Sequence, residues 1–123
     1  MSTKKNKFNQ KDHYYMNLAF NLARDQSGLT GPNPPVGCVI VKNDEVISIG
    51  QTGKNGRPHA EYNAIKSCKE NLKGSKMYVS LEPCTHYGKT PPCSNIIIKS
   101  KIKEVIFPII DIEIGRASCR ERV

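Results

Sequence analysis

Three residues of types that hold zinc stand in two short blocks: His59 in His59-Ala60-Glu61, and Cys84 and Cys93, each preceded by proline, at the two ends of a polar stretch. Imidazole and thiolate are donors that zinc prefers, and three protein ligands leave a fourth position for water, the mark of a catalytic rather than a structural metal site. The sequence therefore assigns zinc to His59, Cys84 and Cys93. Glu61, two residues after the histidine, then stands beside the metal's water without binding the metal. It is the natural proton shuttle, because zinc brings the pKa of a bound water toward about 7 and a carboxylate in reach can accept that proton and return it. The remaining candidates are poorly placed. Cys38 falls in an apolar strand and Cys68 in the apolar stripe of a helix, where buried thiols are ordinary. His13 falls in the opening turn of a helix, where it is structural or solvated.

These residues need elements to hold them. Asp12 is expected to cap a first helix in which Tyr15, Leu18, Ala19, Leu22 and Ala23 recur at helical spacing, with Gly28 ending it in the left-handed conformation. The turn-forming stretch at 28–35 leads into an apolar run at 36–41, and a second run follows at 45–50. Asn43 and Asp44 between them predict an antiparallel hairpin. From His59 the pattern is helical again, through Ala60, Ala64, Ile65, Cys68 and Leu72 to Gly74. A strand is expected at 76–81, a proline-rich loop at 82–92, a short helix from about Cys93 to residue 100, and a strand at 104–107. Strand, helix and strand in that order imply a right-handed parallel crossover. The expected fold class is α/β: a sandwich on a mixed sheet, antiparallel at first and parallel at the end.

His59 and Cys93 would thus each open a helix, Cys93 just after a proline pair that suits a first turn. Helix N-termini carry partial positive charge, which favours thiolate over thiol. HAE alone is also explained without chemistry, because an acidic residue in a first turn is favourable to the dipole. Followed by two Pro-Cys pairs, it agrees with the His-x-Glu and Pro-Cys signature of zinc deaminases.

The 123 residues fit one domain with one core. No apolar run approaches the roughly 20 residues that span a bilayer, and residues 1–11 carry four lysines with no apolar run behind them, so neither a membrane span nor a secretory signal is expected and a cytoplasmic location follows. The five cysteines then point to metal or buried thiols rather than to disulfides. The lysines behind the net charge of +8 are scattered, four of them in the flexible arm at 1–11, and no nucleic-acid partner is expected. Residues 114–123, IGRASCRERV, back-translate in frame to a common sequencing-library adapter. The expectation is a deaminase-type domain at 12–113, C-terminally truncated, followed by ten residues that are not natural; Cys119 is then no ligand.

HAEYNAI with PCTHYGKTPPC resembles the N-terminal deaminase domain of the bifunctional riboflavin-biosynthesis deaminase/reductase, and the likeness extends through MNLAFNLA and GPNPPVGCVIV, from Tyr15 to Phe107. The long spacing from Cys84 to Cys93 carries the distinction, since tRNA adenosine, cytidine and deoxycytidylate deaminases typically use Pro-Cys-x-x-Cys. The resemblance implies a three-layer α/β/α cytidine-deaminase-like sandwich, a zinc cofactor, and a phosphorylated pyrimidine, 2,5-diamino-6-ribosylamino-4(3H)-pyrimidinone 5′-phosphate, whose 2-amino group is replaced by oxygen. It also implies substrate contacts at Asn33, Ala60, His86, Lys89 and Thr90, of which His86, Lys89 and Thr90 offer partners for a phosphate. Thr52 stands where many members have histidine, and the family's reductase domain is missing, so no nicotinamide cofactor is expected. Assembly as a homo-oligomer is left open. The alternatives are another nucleotide or tRNA deaminase on the same scaffold, which predicts aromatic and basic residues along an open groove, and a non-catalytic zinc module, which predicts a fourth ligand.

Overall fold

The computed structural model describes residues 9–32, 34–80, 93–111 and 116–122, with side chains described as far as Pro108 except at Cys93 and Ser94. A first helix, α1 (Gln10–Asp25), precedes a hairpin of β1 (Gly37–Lys42) and β2 (Glu45–Gln51). Then come a 3-10 turn (Lys54–Gly56), α2 (Ala60–Ser67), β3 (Lys76–Val79), α3 (Cys93–Lys99), β4 (Glu104–Asp111) and β5 (Arg116–Arg122). The five strands lie in the order β2-β1-β3-β4-β5. β1 is antiparallel to β2 and to β3, β3 is parallel to β4, and β5 returns antiparallel to β4. The mixed sheet and the hairpin are those expected. Asn43 and Asp44 both take the left-handed conformation that a tight two-residue turn requires, at φ 53° and 64°.

Alternation along the strands divides the core into two layers. Val39, Val41, Tyr78 and Ile106 face α1, where they meet Tyr15, Met16 and Ala19. Cys38, Ile40, Met77, Val79, Val105 and Phe107 face the other way and pack with Ala60 and Ala64 of α2 and Ile97 of α3. One helix on one face and two on the other make the three-layer α/β/α sandwich. On the second face α2 comes very close to the sheet: a Cβ at Gly50 would lie 2.4 Å from the Ala60 carbonyl oxygen and 2.9 Å from the Ala64 Cβ. Glycine at this point of β2 is what lets the first turn of α2 seat on the sheet.

Local boundaries differ from the sequence reading in four places. Asn9, not Asp12, caps α1: its side chain accepts from the Asp12 N–H at 2.8 Å while the Asp12 carboxylate accepts from the Asn9 N–H at 3.2 Å, a reciprocal capping box. At the far end α1 stops at Asp25 and Gln26 caps it, although Gly28 does adopt a left-handed φ of 83° in the turn beyond. α2 ends at Ser67 rather than running to Gly74. Cys68 is extended, and the Asn71 side chain accepts from the Lys73 N–H at 2.9 Å, a local bond that competes with helix. Leu72 still packs against the core, but from the connection. Finally, the last strand extends from the expected 104–107 to Asp111 and pairs with β5, which lies within the stretch read as adapter. Pro108 breaks no bond to β3, because β3 pairs with β4 only through Ile106. Among the described residues no helix is long and apolar enough to cross a membrane.

Candidate active site

Topology alone brings the helix starts together. β2 and β3 run the same way, as each is antiparallel to β1, and α2 joins them; α3 joins the parallel pair β3 and β4. A helix that connects two parallel strands must run back against them, so α2 and α3 both begin at the edge where β2 and β3 end. His59 caps the start of α2 and Cys93 opens α3. Ser80, the last described residue before Cys84 in the chain, follows β3 at this same edge. The starts of α2 and α3, far apart in sequence, thus share one edge, at the carboxyl ends of strands where open α/β sheets place ligands.

The edge is held by specific bonds. The Gly37 N–H donates to the Ser80 hydroxyl at 3.0 Å and the Ser80 N–H to the Gly37 carbonyl at 3.0 Å, fixing the start of β1 to the end of β3. Thr52, just past β2, is 2% exposed. Its N–H donates to the Val36 carbonyl and its hydroxyl accepts from the Val36 N–H at 2.9 Å. Its hydroxyl therefore serves to stitch the segment before β1 to the segment after β2. The Gln26 side chain adds a bond to the Thr52 carbonyl at 2.9 Å, and Gln51 reaches the Leu22 carbonyl at 3.0 Å.

His59 has φ −70° and ψ 159°, extended, and its side chain makes no capping bond to α2. The imidazole is half-buried, and burial first, then the charge of Arg57, holds its pKa below the ordinary histidine value. It is therefore mostly neutral at pH 7, the form that binds a metal. Glu61 lies in the first turn of α2 and is only 4% exposed. Ala60 between them is wholly buried with Cys38 and Ala64 in the core, so its methyl belongs to packing. Asn33, Cys84, His86, Lys89 and Thr90 lie outside the described residues, as does the Cys93 side chain. Among the described residues no group of three His, Cys, Asp or Glu side chains converges.

Cys38 is wholly buried in β1, as expected for a structural thiol. Cys68 is half-buried just past α2, its thiol 3.8 Å from the Ile47 carbonyl. His13 is on α1, away from this edge. An open groove of about 520 Å³ follows the outer side of β2, lined by Gln26, Thr52, Asn63 and Lys66 among others; neither His59 nor Glu61 lines it. Sequence reasoning missed Gln26, Asn63 and Ser80, and noted Thr52 only as a departure from the histidine of many relatives, not as a bridge between segments. Asn63 carried a signal, since asparagine is a poor helix-interior residue and here lies one turn after His59.

The donor types fit a zinc ion: His59 and Cys93 stand at helix starts on one sheet edge, Glu61 is buried two residues after His59, and Cys84 lies outside the described residues. The profile of the cytidine and deoxycytidylate deaminase zinc-binding region matches residues 9–109. The chain is similar to the riboflavin biosynthesis protein RibD of Aquifex aeolicus, 48% identical over 81% of this chain and 28% of that protein. It is also 48% identical to the diaminohydroxyphosphoribosylamino-pyrimidine deaminase of Buchnera aphidicola from Schizaphis graminum, over 82% of this chain and 69% of that one. Among solved structures, a diaminohydroxyphosphoribosylaminopyrimidine deaminase/5-amino-6-(5-phosphoribosylamino)uracil reductase from Thermotoga maritima superposes with a TM-score of 0.72 at 45% identity, covering 77% of this chain and 30% of that one. The chain thus spans less than a third of the length of the larger relatives. By the profile over residues 9–109 and the shared length with the Buchnera protein, the chain belongs to the diaminohydroxyphosphoribosylaminopyrimidine deaminases, within the zinc-binding cytidine and deoxycytidylate deaminase family.

Proposed function

We propose that the chain hydrolyses the 2-amino group from 2,5-diamino-6-ribosylamino-4(3H)-pyrimidinone 5′-phosphate, with His59, Cys84 and Cys93 as zinc ligands and Glu61 as the proton carrier. One observation carries the reading: a carboxylate 4% exposed sits in the first turn of α2, two residues after a half-buried histidine that opens the helix. Burying a glutamate to this degree costs several kcal/mol of hydration, on the order given for a buried ion. Burial here places the carboxylate in a site of low dielectric, where proton transfer to and from a reacting group is effective.

When bound, zinc supplies the positive charge that makes water acidic near neutral pH. The rest falls to the chain. Glu61 accepts the proton of the attacking water, delivers it to the ring nitrogen beside the carbon under attack, and then helps protonate the departing amine, so ammonia leaves and oxygen stays on the ring. The segment between the cysteines supplies His86, Lys89 and Thr90 to the 5′-phosphate, as charged and hydroxyl donors suit a dianion. Asn33 contacts the base or ribose from the loop before β1, and Ala60 meets the substrate through its backbone. Thr52 has no substrate role in this scheme, because its hydroxyl is bonded to Val36. In the same reading the deaminase domain is 12–113, residues 114–123 are of adapter origin, and sequencing the gene from an unfragmented source tests that part.

The test of the metal set is zinc content. Cys84→Ser and Cys93→Ser are each expected to lower zinc below about one ion per folded chain, the content a three-ligand site predicts. Full zinc in both variants overturns the ligand assignment.

A further inference from the structure

His59 follows a tight loop. The Gly53 N–H donates to the Pro58 carbonyl at 2.8 Å, so the loop from residue 51 to 58 closes on itself at its neck. The closure leaves no room for a side chain at Gly53, where a Cβ would lie 2.3 Å from the Arg57 carbonyl oxygen. Asn63, on the next turn of α2, reaches back to this neck. Its Nδ2 donates to the Gln51 carbonyl at 2.7 Å and to the Pro58 carbonyl at 3.2 Å, which uses both amide hydrogens. Its backbone N–H donates to the His59 carbonyl at 3.0 Å, the opening bond of the helix.

These bonds bracket one residue. The Pro58 carbonyl belongs to the peptide unit before the His59 Cα, and the His59 carbonyl to the unit after it. Two peptide planes meeting at a Cα fix its φ and ψ, and with them the direction of the Cα–Cβ bond. We infer that Asn63 is a positioning residue for the zinc site: through its side-chain amide and its backbone N–H it holds the peptide units on both sides of His59, and so fixes where the imidazole is aimed. This extends the proposed function and rests on His59 being a zinc ligand. The position has no other evident call for asparagine, since a helix-interior asparagine disfavours its own helix. A histidine whose side chain is directed to a metal cannot also cap the helix it opens, and the neighbouring turn supplies the restraint that a Ser or Asp cap would give.

The experiment uses the full chain, two variants at Asn63 and one at His59. Asn63→Asp keeps the shape but turns acceptor oxygens toward two carbonyl oxygens, and Asn63→Ala removes the side chain. Zinc affinity is measured by competition with a chromophoric chelator, and the visible spectrum of the cobalt-loaded protein reports the ligand geometry. The expected result is a ten- to hundredfold rise in the zinc Kd, the range for groups that orient a metal ligand from outside the coordination sphere, with a changed cobalt spectrum. Circular dichroism identifies the folded zinc-free protein to which these values refer. Folded variants with wild-type affinity and spectrum overturn the inference, even if their melting temperature falls. A measurement on the wild type stands independently of variant folding: in the zinc-free chain the Asn63 side-chain amide protons should exchange with water more slowly than those of an exposed asparagine such as Asn17, and equal rates overturn the inference. His59→Ala separates the two levels. If it keeps full zinc affinity, the reading of the site fails; if it loses zinc while Asn63→Asp keeps it, only the role of Asn63 fails.

Discussion

The first turns of α1 and α2 carry the same kinds of residue in different service. Each has a polar residue at the cap and an acidic one shortly after: Asn9 with Asp12, and His59 with Glu61. In α1 both residues serve the fold, since Asn9 and Asp12 bond each other's backbone N–H and Asp12 also accepts from the Tyr78 hydroxyl. Burial first, and then that contact, push the Tyr78 pKa well above the ordinary tyrosine range. In α2 the cap residue makes no side-chain capping bond, the acidic residue is almost wholly buried, and the helix is half as long, 8 residues against 16. The restraint has moved to Asn63, Gly50 and the closed loop at 51–58. A helix start that is assigned chemistry needs its stability supplied by neighbours, and the sheet edge around α2 shows which neighbours supply it.

Isosteric changes at the two acids give the sharpest contrast. Glu61→Gln is expected to keep zinc and lower kcat by about 10²–10⁴, the span attributed to a general acid-base group, because the amide cannot take and return a proton. Loss of zinc in that variant would make Glu61 a ligand, and near-normal turnover would remove it from the mechanism. A smaller effect is expected at the loop between the cysteines. Lys89→Ala should lower kcat/KM for the phosphorylated substrate roughly tenfold or more, from a charge-assisted bond of about 1.5–3 kcal/mol, and change use of the dephosphorylated substrate little. Equal losses on both would give Lys89 to the loop and not to the phosphate. Asp12→Asn should cost about 1–2 kcal/mol in urea unfolding, because one of its two accepting oxygens becomes a donor facing a donor, and leave kcat/KM unchanged. Asn9→Ala should cost about 1 kcal/mol, again without effect on kcat/KM. Loss of turnover in either α1 variant at full folding would erase the contrast between the two helix starts.

Much of this was legible in the sequence, for reasons that can be stated. The apolar runs of β1 and β3 and the Asn43-Asp44 turn made the sheet's pattern legible, because a strand with both faces covered reads as an unbroken apolar run. The zinc-deaminase family was legible in the sequence blocks that hold His59, Glu61, Cys84 and Cys93, because metal chemistry restricts residue type and spacing together. Helix ends were less so. Asp12 looks like a cap, and only the tertiary bond to Tyr78 and the presence of Asn9 show it to be the third residue of a capping box. Leu72 keeps helical spacing with Ala64 and Cys68, yet reaches the core from an irregular connection, since burial requires only that the side chain arrive. Thr52 was out of reach, and Asn63 gave only the signal of an asparagine inside a helix, because their partners are backbone carbonyls and N–H groups, which no residue type announces.

The central claim, a zinc deaminase of a phosphorylated ribosylaminopyrimidine, is tested most directly by competition between substrates. Ammonia release by the zinc-loaded, folded chain is measured on 2,5-diamino-6-ribosylamino-4(3H)-pyrimidinone 5′-phosphate, on deoxycytidylate and on cytidine under one set of conditions. The account predicts the highest kcat/KM on the diaminopyrimidine phosphate, and contradiction comes from a higher value on deoxycytidylate or cytidine, or from no release at all by a chain carrying a full complement of zinc.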